Sequence, residues 1–128
     1  MELKNQSIQK EIGGTFQGDL AWTAEALGNI LKNCSEHTPE GGTIFLTGHE
    51  NPLYTEIIVR DTGPGIDPKD LPHLFERFYR GKDAKDQSIG IGLALSRMIL
   101  TSQNATLRAV NSPKGGAEFI IRFYKSTV

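Results

Sequence analysis

The sequence has 128 residues, the length of one domain that is large enough to bury its own core. Its 14 basic and 15 acidic residues leave a net charge of −1, which argues against a nucleic-acid or membrane module that depends on bulk positive charge. The single cysteine, Cys34, excludes an internal disulfide and lacks the Cys and His companions of a zinc site, so we predict a reducing, cytoplasmic compartment.

Membrane insertion is not predicted for this chain. No apolar run reaches the roughly 18 residues that a membrane-spanning helix needs. The polar residues 1–11 do not have the pattern of a signal peptide. We therefore expect no direct membrane contact, although the sequence is compatible with a larger, membrane-anchored parent protein.

The first elements predicted along the chain are an edge strand and an amphipathic helix. Residues 7–11 predict a short strand. Asp19 is a suitable N-cap for a helix that ends near His37, before the Thr38-Pro39 pair. The predicted apolar face of this helix contains Leu20, Ala24, Leu27, Leu31 and Cys34.

A hairpin and a loop region follow the helix. Residues 43–47 and 55–60 predict two strands joined around Asn51-Pro52. Asp67-Pro68 opens a short helical turn, because Pro is favoured at the first helical position. The predicted apolar anchors of this turn are Leu71, Leu74, Phe75 and Phe78. Residues 79–88 are polar and lack periodic apolar residues, so we predict a mobile loop there.

The last third of the chain predicts one helix and two strands. The helix follows Gly90-Ile91-Gly92 and runs to about Gln103, with Leu95, Met98 and Ile99 as its buried face. Residues 107–110 and the alternating Phe119, Ile121 and Phe123 predict the strands. The order β-α-β-β-loop-α-β-β favours an α+β fold in one domain, residues 1–128. We expect a two-layer α/β sandwich whose mixed, mostly antiparallel sheet is covered on one face by helices.

Three polar residues form a stripe on the first helix. Glu25, Asn29 and Asn33 are four residues apart, so they lie on one side of the helix. One interpretation is a solvated polar face. The other is an oxygen ligand for Mg²⁺, which takes one or two protein oxygens together with phosphates and waters.

A single carboxylate stands in the turn after the third strand, in Asp61-Thr62-Gly63-Pro64-Gly65. Asp61 could simply accept a hydrogen bond from the backbone of its own turn. Alternatively, a carboxylate on the floor of a pocket would accept from the exocyclic amine of adenine but face the carbonyl oxygen of guanine. It would then select ATP over GTP.

The segment Gly90-Ile91-Gly92-Leu93 opens the second helix. Unpaired amides at a helix N-terminus attract phosphate, although a tightly packed helix start is the alternative explanation of two glycines. Just upstream lies a basic cluster that is either solvated or in contact with a triphosphate. It contains Arg77, Arg80, Lys82 and Lys85.

The order and spacing of these motifs are more restrictive than each motif alone. From residue 18 to residue 123 the chain resembles the catalytic and ATP-binding domain of bacterial sensor histidine kinases. Their superfamily includes gyrase, a heat-shock chaperone and mismatch-repair ATPases. The resemblance implies the Bergerat-type ATP-binding fold. It also implies that residues 25–33 are the Asn box, residues 74–80 the Phe box and residues 79–89 the ATP lid.

The resemblance implies a role for individual residues. Asn33 would be the principal Mg²⁺ ligand, Asn29 would line the phosphate site, and both would be catalytic. Asp61 would bind adenine. The other implied nucleotide contacts are Gly63, Gly65, Ile66, Arg77, Phe78, Arg80, Lys82, Gly90, Ile91, Gly92 and Leu93. The chain departs from many members at Glu36 and His37, where they carry Lys and Tyr.

The implied function is transfer of the ATP γ-phosphate, with Mg²⁺, to a histidine on a separate dimerisation and phosphoacceptor domain of the same kinase. A response regulator would be an indirect partner. We expect a monomeric chain from the cytoplasmic part of a membrane-anchored sensor, one that binds ATP without phosphorylating itself appreciably.

Two alternatives stay open at this point. If Asn29 rather than Asn33 held the metal, Glu25 would stand at the general-base position, and an ATPase or an anti-sigma-type serine kinase would result. The other alternative is a degenerate, nucleotide-binding interaction module that docks partners without catalysis.

Overall fold

A computed structural model of the chain describes residues 7–12, 20–76 and 92–125. In these ranges the elements are β1 (Ser7–Ile12), α1 (Leu20–His37), β2 (Thr43–Glu50), β3 (Tyr54–Asp61), a 3-10 turn (Leu71–His73), α2 (Gly92–Thr101), β4 (Ala105–Asn111) and β5 (Ala117–Tyr124). The predicted element order is confirmed. The expectations for Asp19 and for residues 79–88 lie outside the described residues.

The strands of the described residues form one mixed sheet with the order β1-β2-β3-β5-β4. β1 lies at an edge, as predicted, and pairs with β2 in parallel. All other neighbouring strands are antiparallel. The parallel pair results from α1, because two parallel strands need a crossover connection that a short turn does not provide.

Both helices cover the same face of the sheet. α1 and α2 pack against each other, and the core lies between them and the strands. The sheet residues of this core include Ile44, Leu46, Val59, Phe119 and Ile121. Leu74 and Phe75, from the segment after β3, pack half-buried against it, and the ring of Phe75 meets that of Phe119 edge-on at 6.4 Å between centroids. The predicted α+β two-layer sandwich is therefore confirmed.

The buried face of α1 differs from the predicted one. Its fully buried apolar residues are Ala26, Ile30 and Cys34. Leu27 and Leu31 are only half-buried, and Ala24 is exposed, so the prediction for Ala24 is wrong. The second helix accounts for the difference. Ser96 of α2 donates a hydrogen bond to the Ala26 carbonyl oxygen at 3.0 Å, so the side of α1 that carries Ala26 is covered.

The buried face of α2 also needs a correction. Met98 is 64% exposed, although Ile99 is buried as predicted and Leu95 is half-buried. Ser96 and Leu100 complete the covered side, which is set by contact with α1 and β4. α2 ends at Thr101, two residues earlier than expected, and Asn104 then adopts a positive φ of 60°.

The β2–β3 hairpin is tighter than predicted. β2 continues to Glu50, and the turn is closed by Asn51, whose Oδ1 accepts from the amides of Leu53 and Tyr54 at 2.8 and 2.9 Å. Because this side chain satisfies the turn, backbone pairing extends beyond residue 47 into the exposed residues His49 and Glu50.

Candidate functional site

Asp61 is a buried carboxylate at the end of β3, and only 1% of it is exposed. Its Oδ1 accepts hydrogen bonds from the backbone amides of Gly63 at 3.0 Å and Ala117 at 3.1 Å. The first bond is the local turn that the sequence allows, and the second ties this turn to β5. Both amides use the same oxygen, so neither occupies Oδ2.

Glycines lie around Asp61 where the backbone leaves no room for a side chain. A Cβ at Gly63 would overlap the carbonyl oxygen of His37, the last residue of α1. At Gly116, where φ is +83°, a Cβ would overlap the carbonyl oxygen of Asp61. Three segments that are distant in sequence, namely the end of α1, the loop after β3 and the β4–β5 turn, therefore meet around one carboxylate.

Cys34 is a second buried group beside Asp61. Burial raises the pKa of the Cys34 thiol, and the negative charge of Asp61 and a hydrogen bond to Asp61 raise it further. The thiol beside Asp61 is therefore protonated at neutral pH. The sequence predicted Cys34 only as a core residue and did not indicate this contact. It gave no sign of the Ala117 contact beyond the neighbouring Gly115-Gly116 pair.

The N-terminus of α2 lies beside Asn29. A Cβ at Gly92 would stand 3.9 Å from the side-chain amide carbon of Asn29. Ser96 holds the two helices together at this point, because its hydroxyl contacts both the Ala26 and the Gly92 carbonyl oxygens, at 3.0 and 2.9 Å. Two of the predicted site residues, Asn29 and Gly92, are thus brought together across a gap of 63 residues, the difference between their numbers.

Asn33 lies one helical turn from Asn29, on the side of Asp61. Asn29 and Asn33 are both half-buried, while Glu25, one turn earlier, is exposed. Within residues 20–76 and 92–125, neither asparagine side chain has a hydrogen-bond partner in the protein. The carbonyl oxygen of Asn33 accepts from His37 Nδ1 at 2.9 Å, which places the His37 ring against its own helix.

The remaining predicted contacts divide into described and undescribed residues. Gly65, Ile66 and Leu93 are half-buried. Gly65 and Ile66 belong to the loop that begins at Asp61, and Leu93 follows Gly92 in the first turn of α2. The predictions that lie outside the described residues are Arg77, Phe78, Arg80, Lys82, Lys85, Gly90 and Ile91.

The described part of the chain contains no group of three or more His, Cys, Asp or Glu side chains that could hold a metal ion. None of its helices is both long and apolar enough to cross a membrane.

Residues 18–127 match the sequence profile of the family described as "Histidine kinase-, DNA gyrase B-, and HSP90-like ATPase". The chain belongs to this family. This ATPase-family domain is therefore an ATP-binding domain, and the resemblance to sensor histidine kinases is supported by its relatives.

Sensor kinases are among the relatives of this ATPase-family domain. The signal transduction histidine-protein kinase/phosphatase MprB of Mycobacterium leprae (strain TN) is 33% identical over 106 residues, 81% of this chain and 20% of MprB. The sensor histidine kinase CusS of Escherichia coli (strain K12) is 36% identical over 107 residues, 81% of this chain and 22% of CusS. The chain thus spans about a fifth of the length of these curated relatives, and it is an ATP-binding catalytic domain of the sensor histidine kinase type.

The fold of this ATPase-family domain is also found in a solved structure titled "Mycobacterial sensor histidine kinase MprB". The two superpose with a TM-score of 0.85 at 24% identity, over 97% of this chain and 86% of the other. This likeness shows that the two chains share a fold.

Proposed function

We propose that this chain binds ATP with Mg²⁺ through the residues around Asp61, Asn33, Asn29 and Gly92. In a larger sensor kinase it would transfer the γ-phosphate to a histidine on a separate domain. The observation that carries the proposal is Asp61, a charged side chain that is 1% exposed and accepts two backbone amides at one oxygen. Burying a carboxylate is costly unless hydrogen bonds compensate it, and both backbone amides use Oδ1, which leaves Oδ2 to accept from a bound base.

Asp61 is proposed to recognise adenine. Its Oδ1 is held by Gly63 and Ala117, which fixes the direction of the carboxylate. An exocyclic amine is the hydrogen-bond donor that adenine offers, whereas guanine would present a carbonyl oxygen to the same group and be repelled. Losing this one partner changes the free energy of binding by roughly 1 to 3 kcal/mol.

The phosphates are proposed to lie at the N-terminus of α2. The first amides of a helix have no partner inside the helix and attract anions. Gly92 stands at this end of α2. A Cβ added to Gly92 would lie 3.9 Å from the side-chain amide carbon of Asn29. Cys34 and His37, which contact Asp61 and Gly63, lie further along α1. The nucleotide would therefore extend along α1, from the base at its C-terminal end to the phosphates near Asn29.

Asn33 is proposed to hold Mg²⁺, and the residues present fit this ion. Mg²⁺ prefers oxygen ligands and usually keeps several waters and phosphate oxygens, so one side-chain oxygen is sufficient. Asn33 is half-buried, and its amide has no protein partner within the described residues. When bound, the ion would neutralise charge that develops on the phosphates. Asn33 would supply the side-chain oxygen that holds the ion.

ATP hydrolysis by water is proposed to be slow. A general base four residues before the metal ligand would activate water, but Asn29 occupies this position, and its carboxamide cannot accept the proton. Glu25, the base of the alternative register, is exposed and lies one turn further from Asp61. A site that holds ATP without an internal base is suited to pass the phosphate to an added acceptor.

The acceptor histidine is proposed to lie on the dimerisation and phosphoacceptor domain of the parent kinase, with a response regulator downstream. Each histidine of this chain has a partner of its own. His37 contacts the Asn33 carbonyl, His49 lies 3.4 Å from Glu56, and His73 lies 2.9 Å from Glu76. We propose one monomeric domain, residues 1–128, in the cytoplasmic part of a sensor whose relatives are about four times as long as this chain.

The nucleotide site can be tested by thermal unfolding with ATP, ADP and GTP, each with and without Mg²⁺. ATP at 100 times its dissociation constant should stabilise the chain by about 2.7 kcal/mol, a shift of several degrees. GTP should have no comparable effect. Asp61→Asn should abolish the adenine preference, since its amide group can still accept from Gly63 and Ala117 but offers a donor where adenine needs an acceptor.

Asp67→Asn is the matched control. Asp67 forms the same kind of turn, with its Oδ1 accepting from the Lys69 amide at 2.9 Å, so the control removes an equal charge from an equivalent geometry. It should leave the ATP shift unchanged. No shift of the wild type with any nucleotide at millimolar concentration would overturn the proposed function and favour an interaction module.

Phosphoryl transfer can be tested by adding a separately purified phosphoacceptor domain and γ-labelled ATP. Acid-labile label should appear on the added domain and not on this chain. Label on His37, His49 or His73 of this chain would contradict the assignment of the acceptor to another domain. ATP binding without transfer to any acceptor domain would leave only the nucleotide-binding part of the proposal.

A further inference from the structure

Asn111, the last residue of β4, uses its whole side-chain amide on one residue of the Asp61 loop. Its Oδ1 accepts from the backbone amide of Ile66 at 2.7 Å, and its Nδ2 donates to the carbonyl oxygen of Ile66 at 2.8 Å. The two residues are 45 positions apart. A side chain that pairs with both polar groups of one residue imitates a neighbouring strand and fixes the orientation of that residue.

The neighbouring glycine has the shape that this contact requires. Gly65 has a φ of +86°, and a Cβ added to it would lie 2.7 Å from Asn111 Oδ1. A larger residue at position 65 would therefore be strained and would also displace the Asn111 amide. The close approach of Asn111 therefore depends on the absence of a side chain at Gly65.

The same hairpin holds both ends of the loop from Asp61 to Ile66. Asn111 and Ala117 are register partners where β4 meets β5. Ala117 donates its backbone amide to Asp61 at the start of the loop, and Asn111 holds Ile66 at its end. The turn between them is itself closed by the Ser112 amide, which donates to the Gly116 carbonyl oxygen at 2.8 Å.

The exposure of Asn111 distinguishes positioning from a role in the core. Asn111 is exposed, so its hydrogen bonds compete with water and contribute little net stability. Competition with water lowers the net energy of these two bonds but does not change their geometric effect. Two bonds to the same residue hold that residue in one orientation. A residue with small stabilising value and two short bonds to the loop after Asp61 is suited to orienting that loop.

We infer that Asn111 is a positioning residue for nucleotide binding, which holds the Gly65–Ile66 backbone in the conformation that receives the base side of ATP. This inference rests on the proposed function, because it assigns the loop after Asp61 to the base. Asn111 itself need not touch the nucleotide. Its effect is transmitted through Ile66.

The test compares Asn111→Ala and Asn111→Asp with the wild-type chain in calorimetric titrations with Mg²⁺-ATP and Mg²⁺-ADP, well below every unfolding temperature. Asn111→Ala removes both bonds and should weaken both nucleotides by a similar factor, roughly tenfold. Equal loss is expected because the base end is common to the two ligands. Asn111→Asp keeps the acceptor for the Ile66 amide but turns a carboxylate oxygen toward the Ile66 carbonyl oxygen, so it should also weaken both nucleotides several-fold.

Asn104→Ala is the matched control at the other end of β4. Asn104 also donates from its side chain to a carbonyl oxygen, that of Tyr124, at 3.2 Å, and its φ of 60° makes alanine unfavourable there. This control should lower the unfolding temperature without changing either dissociation constant. A general loss of stability would therefore not reproduce the effect of Asn111→Ala.

The outcomes separate this inference from the proposed function. If the wild-type chain does not bind ATP, both are wrong. If it binds ATP and both Asn111 variants bind as tightly, the positioning role alone is wrong. Should Asn111→Ala fail to fold, Asn111→Asp decides the matter, since unchanged ATP affinity in that variant overturns the inference and a several-fold loss supports it.

Discussion

Cys34 and Asp61 are neighbouring buried groups, with exposed fractions of 0% and 1%, and burial together with the Asp61 carboxylate raises the pKa of the Cys34 thiol. This contact joins the only cysteine of the chain to the residue on which adenine recognition is proposed to depend. The pKa of the thiol therefore differs between the folded and the unfolded chain, because an exposed thiol in the unfolded chain has neither the burial nor the neighbouring charge.

The Cys34 contact predicts a pH dependence of stability. The pKa of Cys34 in the folded chain lies above the ordinary thiol value of 9.0, so the folded state binds this proton more tightly. Its contribution is fully present below pH 9 and is lost as the pH rises above that value. Between pH 7.5 and 10.5 the free energy of unfolding should fall by about 2 kcal/mol more in the wild type than in Cys34→Ser.

Urea titrations across this pH range provide the measurement. Cys34→Ser is the control, since it keeps a donor for Asp61 and removes the titrating thiol. Parallel pH profiles of the two proteins would contradict the contact. In the native wild type, alkylation of Cys34 by iodoacetamide at pH 8 should be slow and should become fast in urea, because the thiol is buried and protonated.

Gly116 is predicted to be intolerant of any side chain. A Cβ there would overlap the Asp61 carbonyl oxygen, and its φ of +83° adds backbone strain. Gly116→Ala should destabilise the chain by about 3 kcal/mol or more. The neighbouring Gly115 has a φ of +97° but open space around it, so Gly115→Ala should cost only about 1 kcal/mol. Similar urea midpoints for the two variants would show that the close approach to Asp61 is absent.

Asn33 is predicted to determine how strongly Mg²⁺ assists ATP binding. Asn33→Ala removes the proposed metal oxygen and should weaken ATP binding roughly tenfold in Mg²⁺ while leaving the affinity in EDTA nearly unchanged. Lys32→Ala, at an exposed position of the same helix, is the control. An equal loss with and without Mg²⁺ would assign Asn33 a contact to the nucleotide itself.

Asn29 is predicted to be the reason for slow hydrolysis. Asn29→Glu places a carboxylate four residues before Asn33, where a base could activate water, and should raise the steady-state rate of phosphate release at least about tenfold. If Asn29 were instead the metal ligand, the introduced carboxylate would hold Mg²⁺ and the rate would not rise, whereas Glu25→Gln would lower the wild-type rate. Measuring both variants distinguishes the two registers.

Local pattern predicted most of the architecture. Alternation and turn residues indicated the strands, and the spacing of apolar residues indicated the helix that ends at His37. The same patterns predicted the exposed Met98 and Ala24 as core residues. Periodicity shows that a helix has an apolar side, but the width and direction of the buried side depend on the neighbour. In this protein the neighbour of α1 is α2, and the hydrogen bond from Ser96 to the Ala26 carbonyl oxygen shows where the two helices meet.

Some features of the candidate site could likewise be predicted from the sequence, and others could not. Sequence patterns were sufficient to predict that Asp61 stands between a strand and a glycine-rich turn and that Asn29 and Asn33 share a helix face, because these are relations between residues close in the chain. The contacts of Ala117 and Asn111 with the two ends of the Asp61 loop could be seen only in the folded chain. Ala117 acts through a backbone amide, which every residue except proline has, and the Asn111 pair spans 45 residues. Such contacts leave no periodic or local signature, since they arise only when the strands pair.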